Sequence, residues 1–235
     1  MLSYYAEMAA AEGLVSMIAS NASPWVAPHG ATEGRFGTNP ICFGFPSADA
    51  PVIWDIGTSA IIHAEVTLHR RLGTLLPEGV AFDPAGAPTL DPVAALAGAF
   101  APWGGHKGSG LAMFMDIFGG VISGANFGGE VGDQYKSFDR AQDVGHFFLA
   151  MKPDLFVSED DYRARIDALI DRMKTAPLAE GFSEVLVPGE PEDRYEAERR
   201  KRGIPYATSE VKALQDEAKR AGIQPLVLSE QPIEA

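Results

Sequence analysis

The spacing of apolar positions changes several times along the chain, and each change predicts an element. "SYYAEMAAAE", residues 3–12, is alanine-rich and predicts a helix, with Gly13 where a left-handed C-terminal cap belongs, and "GLVSMIAS" then predicts a buried strand. "NPICFGFPS", "PVIWDIGTSAII" and "HAEVTL" are short apolar or β-branched runs bounded by Gly, Pro and Asp, and they read as strands. "LGTLLPEGVAFDPAGAPTLDPVAALAGAFAP" is rich in Pro and Gly and predicts an ordered surface excursion, because Pro77 and Pro88 would break any helix drawn through it.

Residues 107–123 form the longest apolar segment, too long for a strand, and Gly110, Gly119 and Gly120 suit close packing. The expectation is a central buried helix. "VGHFFLAM" reads as a strand, and "SEDDYRARIDALIDRMKTA" as an amphipathic helix with Ser158 as N-cap and Tyr162, Ile166, Leu169, Ile170 and Met173 on one stripe. "VLVPGEPEDRYEAERRKRGI" predicts a strand, a Pro-Gly turn and a charged helix ending near Gly203. "TSEVKALQDEAKRAGI" predicts a last helix capped by Thr208 or Ser209. Strands and helices interleave without repeats, so the expected organisation is a single α/β unit over residues 1–222 and a loosely held tail over 223–235.

Composition narrows the function. The 235 residues, 46% of them hydrophobic, can bury a substantial core, and a formal charge of −13 disfavours nucleic acid as a partner. Cys42 stands alone, so one chain can build neither a disulfide nor a cysteine-based metal site. The first residues carry Glu7 and Glu12 and no basic run, and no stretch reaches the roughly 18 apolar residues of a membrane span. A cytoplasmic protein without membrane partners is expected.

"PWGGHKGSGLAMFMDIFGG", residues 102–120, is the richest candidate for chemistry. A phosphate-binding P-loop needs Gly-Lys-Ser/Thr, whereas Lys107 lies between His106 and Gly108; a G-x-G-x-x-G fingerprint is also absent. Exposed glycine N–H groups, a following helix N-terminus and Lys107 still suit an anion. The same glycines equally suit close packing of a buried helix. His63 and Glu65 would share a face if "IIHAEV" were a strand, as an acid–base pair or as a polar strand edge. Asp55 ends "VIWD", where it could line a site or cap a helix. His29, His69 and His146 show no metal-ligand spacing, so no metal is assigned.

"VAPHGA", "FGTNPICFGFP", "WDIGTSAIIHAEV", "LLPEGVAFDPAGAPTLDP", "PWGGHKGSGLA", "GHFFLAMKPDLF" and "VPGEPE" occur in the order and spacing of one known family. From about residue 4 to about residue 222 the chain resembles the malate/L-lactate dehydrogenase family of NAD(P)-dependent oxidoreductases. The resemblance implies a mixed β-sheet covered by helices, a non-Rossmann cofactor site and a homodimer. It also implies hydride transfer between NAD or NADP and a small 2-hydroxy or 2-keto acid or a cyclic 2-imino acid.

Carried over position by position, the resemblance makes Thr38, His63 and Ala64 substrate contacts. Asp55, Ile56, Gly57, Gly105, His106 and Lys107 become cofactor contacts, and Pro188, Gly189 and Glu190 a second cofactor loop. Glu65 falls where the imine reductases carry an aspartate that orients the catalytic histidine, and "HAEV" is closer to their "HGDV" than to the R-G-K of many malate-type members. Ahead of the helix ending "AAAEGLV" the family carries a Ser-His pair, a substrate-binding arginine and a His-His-x-Gly stretch, none of which is in this sequence. That leaves two expectations: a hydride-transfer enzyme completed by those residues, or a truncated or degenerate form that binds cofactor or dimerises without catalysis.

Overall fold

The computed structural model describes residues 1–228 and divides the chain into two units, Met1–Val185 and Leu186–Ala235. In chain order the first unit contains α1 (Ser3–Ala11), β1 (Val15–Ser20), β2 (Ile41–Phe45), β3 (Val52–Ile56), α2 (His63–Leu72), β4 (Ala81–Phe82), α3 (Pro92–Ala97), β5 (Ala99–Phe100), α4 (His106–Asp116), β6 (His146–Met151) and α5 (Glu159–Lys174). The second contains α6 (Glu190–Arg202) and α7 (Thr208–Ala221). Of the tail expected over 223–235, residues 229–235 lie outside the described residues.

An antiparallel sheet in the order β3-β2-β1-β6 organises the first unit. Leu2, Ala6, Ile18 and Cys42 form a core on its α1 side, while Ala19, Ile41 and Met115 form one on its α4 side. Successive strand residues point to opposite faces, and both faces are covered, which is why "VSMIAS" reads as a continuous run. A Cβ on Gly44 would stand 3.1 Å from the Ala6 Cβ, so the missing side chain is what seats α1 on β2. Gly13, at φ 72°, ends α1 in a Schellman turn: its N–H donates to the Ala10 carbonyl and that of Leu14 to Ala9, both at 2.9 Å.

Several elements differ from expectation. "HAEVTL" opens α2 and is not a strand. Glu65 in the first turn, His69, Arg70 and Arg71 in the last, and the left-handed cap Gly73 all complement a helix, and they outweigh the β-branched residues. The segment 107–123 is α4 followed by a π-helical turn, Ile117–Ile122, and its burial is one-sided: Met113, Phe114, Val121 and Ile122 are exposed. No strand forms at 185–187, and α7 is preceded by Ala207, whose N–H donates to the Glu210 carboxylate at 2.9 Å; Thr208 and Ser209 are inside the helix. Ser158 caps α5 as expected, accepting the Asp161 N–H at 3.1 Å. Inside the Pro- and Gly-rich excursion, Asp91 caps the short α3.

One buried side chain joins the segments that leave the sheet. Asn39, fully buried at φ 36°, accepts the Ala22 N–H at 3.1 Å and donates to the Ala112 carbonyl of α4 at 2.8 Å. Its backbone carbonyl accepts the Thr58 hydroxyl at 3.3 Å. Asn tolerates this left-handed backbone better than other L-residues, and its amide can donate and accept at once. Asn39→Ala leaves the Ala22 N–H and the Ala112 carbonyl without the amide, and puts alanine in a left-handed conformation. It is expected to cost about 2–4 kcal/mol, read as a lowered midpoint in urea unfolding.

Candidate functional site

Backbone hydrogen bonds bring three distant segments side by side. The Thr38 carbonyl accepts the Thr58 N–H at 2.7 Å and its hydroxyl at 3.0 Å, and the Thr58 carbonyl in turn accepts the Trp103 N–H at 2.9 Å. "GTNP", the end of β3 and "GGHKG" therefore form one cluster, reinforced by the Ala60 N–H donating to the Ala101 carbonyl at 2.8 Å. Gly104 and Gly105, at φ 60° and 65°, turn the chain into α4. Gly108 permits the closest approach, since a Cβ there would stand 2.1 Å from the Trp103 carbonyl oxygen. The glycines thus seat the helix, and they also present its N-terminus. No side chain caps α4, and Lys107 is exposed on its first turn.

The same cluster gathers polar groups beside a helix N-terminus. A Cβ on Gly57 would touch the Thr38 carbonyl oxygen at 3.4 Å, so the residue packs directly against the Thr38 backbone without crowding it. The Ser59 hydroxyl, 3.7 Å from that position, is buried and has no hydrogen-bond partner. A buried hydroxyl is normally satisfied. Together with the uncapped helix N-terminus and the Lys107 charge, it suits a polar, anionic ligand. The His29 N–H donates to the Ser109 hydroxyl at 3.0 Å, and its ring stands 6.0 Å from that of His106. Ile56 and Asp55 continue the strip along β3, but the Asp55 carboxylate accepts the N–H groups of Leu2 and Ser3 at 2.7 and 2.8 Å. Of its two sequence readings, the structure displays the helix-capping one.

His63 opens α2 six residues after Gly57 and lines a cleft of about 360 Å³. Its ring lies 4.4 Å from that of Trp25 and 4.6 Å from that of Tyr135, and Trp25 and Tyr135 are themselves nearly parallel at 5.6 Å. Thr67, Arg70 and Lys136 complete its polar wall. His63 and Glu65 do not share a face as they would in a strand: residues two apart on a helix are separated by about 200°. Ala64 and Glu65 are exposed, whereas His63 is half-buried.

Burial pushes the His63 imidazole below its usual range; the Asp133 charge opposes this, and Arg70 and Lys136 reinforce it. Asp133 is subject to the same burial, but the Trp25 indole N–H, the Tyr135 amide and Lys136 outweigh it and hold its carboxyl below the ordinary carboxylate range. Elsewhere, burial raises the Asp116 carboxyl, partly offset by hydrogen bonds from Gly128 and Asn39. Burial, with Asp55 and Glu7, pushes the Cys42 thiol up to about 12, which leaves it inert as a nucleophile. Among the described residues no group of three or more His, Cys, Asp or Glu side chains could hold a metal ion, and no helix is long and apolar enough to cross a membrane.

In the second unit, Gly189 at φ 100° precedes α6, and the Glu190 carboxylate accepts the Val187 N–H at 3.0 Å. Pro188, Gly189 and Glu190 thus form a tight turn at a helix N-terminus. Sequence reasoning missed Trp25, Tyr135 and Asp133 around His63, and Asn39 behind the cluster. "NP" and "GDQ" are turn signatures that could have marked two of these places, but nothing local pairs residue 25 with residue 135.

Comparison with known proteins decides the family. A family model for malate/L-lactate dehydrogenase matches residues 1–215. The chain belongs to the malate/L-lactate dehydrogenase family. Over 197 residues it is 34% identical to L-sulfolactate dehydrogenase of Methanocaldococcus jannaschii, covering 84% of this chain and 56% of that protein. Over 209 residues it is 34% identical to a Delta(1)-pyrroline-2-carboxylate/Delta(1)-piperideine-2-carboxylate reductase of Pseudomonas syringae pv. tomato, covering 88% and 59%. The solved M. jannaschii sulfolactate dehydrogenase superposes with a TM-score of 0.83 at 33% identity, over 94% of this chain and 63% of that one. The chain therefore spans a little over half the length of these family members, and its α/β fold is theirs.

The depressed His63 value gives this family member a pH signature. Between the ordinary histidine range and the lower folded value, the unfolded chain binds more protons than the native one, so the His63 contribution to stability falls as pH falls through that window. Asp133 acts in the same direction only below the usual aspartate range. Wild-type urea midpoints are expected to drop on acidification through the histidine range, and His63→Gln is expected to flatten that drop.

Proposed function

We propose that this chain carries the nicotinamide-binding bulk of an NAD(P)-dependent oxidoreductase acting on a small 2-hydroxy or 2-keto acid or a cyclic 2-imino acid. The observation that carries the reading is the chain of hydrogen bonds from Thr38 through Thr58 to Trp103, which gathers Gly57, an orphan Ser59 hydroxyl and the uncapped helix N-terminus at Gly105–Lys107 in one place. Relatives named as sulfolactate and malate dehydrogenases and as imine reductases support the substrate class.

When bound, the nicotinamide would donate or accept a hydride. Lys107 and the first-turn amides of α4 would hold the anionic part of the cofactor, with His106 beside them. Ile56 and Gly57 would contact the cofactor along the end of β3, where Asp55 fixes the start of α1. Thr38, His63 and Ala64 would contact the substrate and exclude water from it, and Glu65 would supply a carboxylate at the start of α2. Pro188, Gly189 and Glu190 would form a second cofactor loop, and the resemblance supports a homodimer.

Titration of the full chain into NADH and NADPH, followed by nicotinamide fluorescence, tests the reading. Saturable binding of at least one cofactor is expected, and Lys107→Ala is expected to weaken it about tenfold, the equivalent of ~1.4 kcal/mol. Folded protein that binds neither cofactor would overturn the proposal.

A further inference from the structure

Three rings meet around His63, and a single carboxylate arranges two of them. Asp133 Oδ2 accepts the Trp25 indole N–H at 3.0 Å, and Oδ1 accepts the Tyr135 backbone N–H at 2.8 Å. The first bond reaches across 108 positions of sequence and the second closes a local turn. The turn does not need the bond to Trp25 for its attachment. The buried Ser23 hydroxyl already donates to the Gly132 carbonyl at 3.1 Å and accepts from the Gln134 N–H at 3.1 Å and the Gln142 side chain at 3.0 Å. What the Trp25 bond adds is an orientation for the indole plane, and that plane lies against the imidazole.

We propose that Asp133 is a positioning residue for His63: one carboxylate oxygen orients the Trp25 indole and the other fixes the turn that carries Tyr135, and these two rings pack against the imidazole at the wall of the cleft. The inference rests on the reading of His63 as a substrate contact, and it adds the device that fixes the imidazole's place. An imidazole at a helix N1 position has staggered alternatives for its side chain. Two nearly parallel rings, 4.4 and 4.6 Å away and 5.6 Å from each other, crowd the imidazole and remove part of that freedom.

Asp133 also sets the charge around the imidazole. The ionisable groups that face the imidazole are Asp133 and Lys136 from the turn and Arg70 from α2, with the Thr67 hydroxyl 3.5 Å from Nδ1; Trp25 and Phe100 contribute uncharged rings. Asp133 is the one anion in this set, held ionised by its two donors, so its removal leaves the two cations unopposed.

The test is histidine NMR on the full chain, where five histidines keep the spectrum assignable and His63→Gln identifies the signal. Asp133→Asn is expected to move the His63 ring resonance, as Trp25 reorients, and to shift its titration midpoint to lower pH; Asp133→Glu is expected to restore the midpoint in part. Trp25→Phe keeps a ring but loses the indole donor, and it should displace the His63 resonance while the protein stays folded. A wild-type His63 resonance and midpoint in folded Asp133→Asn would overturn the proposal, and should that variant not fold, an unmoved resonance in Trp25→Phe does so instead.

The kinetic arm uses a form that turns over a 2-oxo acid. There Asp133→Asn is expected to raise KM about tenfold with little change in kcat, as for loss of uniform substrate binding. Unchanged KM in His63→Gln would count against the substrate-contact reading alone, because the NMR arm needs no turnover.

Discussion

The first unit depends on what Asn39 does with one side-chain amide and one carbonyl. Three stretches leave the four-stranded sheet in different directions: the loop after β1, the approach to β2, and the segment after β3. Each exposes backbone groups that no strand partner satisfies, and a buried orphan is costly. Asn39 accepts from the first, reaches α4 with its donor and receives the Thr58 hydroxyl from the third. Its left-handed backbone aims the amide inward while the chain turns toward β2. Remove it and both the sheet edge and the helix across from it lose a shared reference point.

The cluster of Thr38, Gly57 and Gly105–Lys107 is a product of that constraint. Thr38 is the neighbour of Asn39, and its carbonyl starts the chain of bonds through Thr58 to Trp103. The strip proposed to hold the cofactor is thus assembled from main-chain groups whose geometry hardly depends on side-chain identity. By contrast, the His63 wall is built almost wholly from side chains, with Trp25, Tyr135 and Asp133 in mutual contact. A rigid backbone strip beside an adjustable side-chain wall is a sensible division for a family whose relatives carry the names of sulfolactate, malate and cyclic-imine enzymes.

Much of the fold is legible in the chain. The run "VSMIAS" predicts a buried strand, Gly13 a helix end and Ser158 a cap, because each signal is local. Co-linear motifs carry the family as well. One exception is "HAEVTL", where two β-branched residues mask a helix whose evidence lies in charge placement and the final glycine. The aromatic contacts of His63 are invisible for another reason. Trp25 and Asp133 are brought together by Ser23 and the turns around it, and sequence spacing holds no trace of such a closure. Asp55 has two open readings in the sequence, and only the position of α1 displays the capping one.

The π-helical turn at Ile117–Ile122 gives the fold a form of memory for chain length. Gly119 and Gly120 lie against Asn21, where a Cβ would come within 2.7 Å of the Asn21 nitrogen or 3.0 Å of its side chain. A π turn holds about one residue more than an α turn, so deleting one residue there would let the segment relax to ordinary helix while the downstream chain keeps its orientation. Along this stretch the chain therefore carries one residue of slack between α4 and the segment that leads to β6.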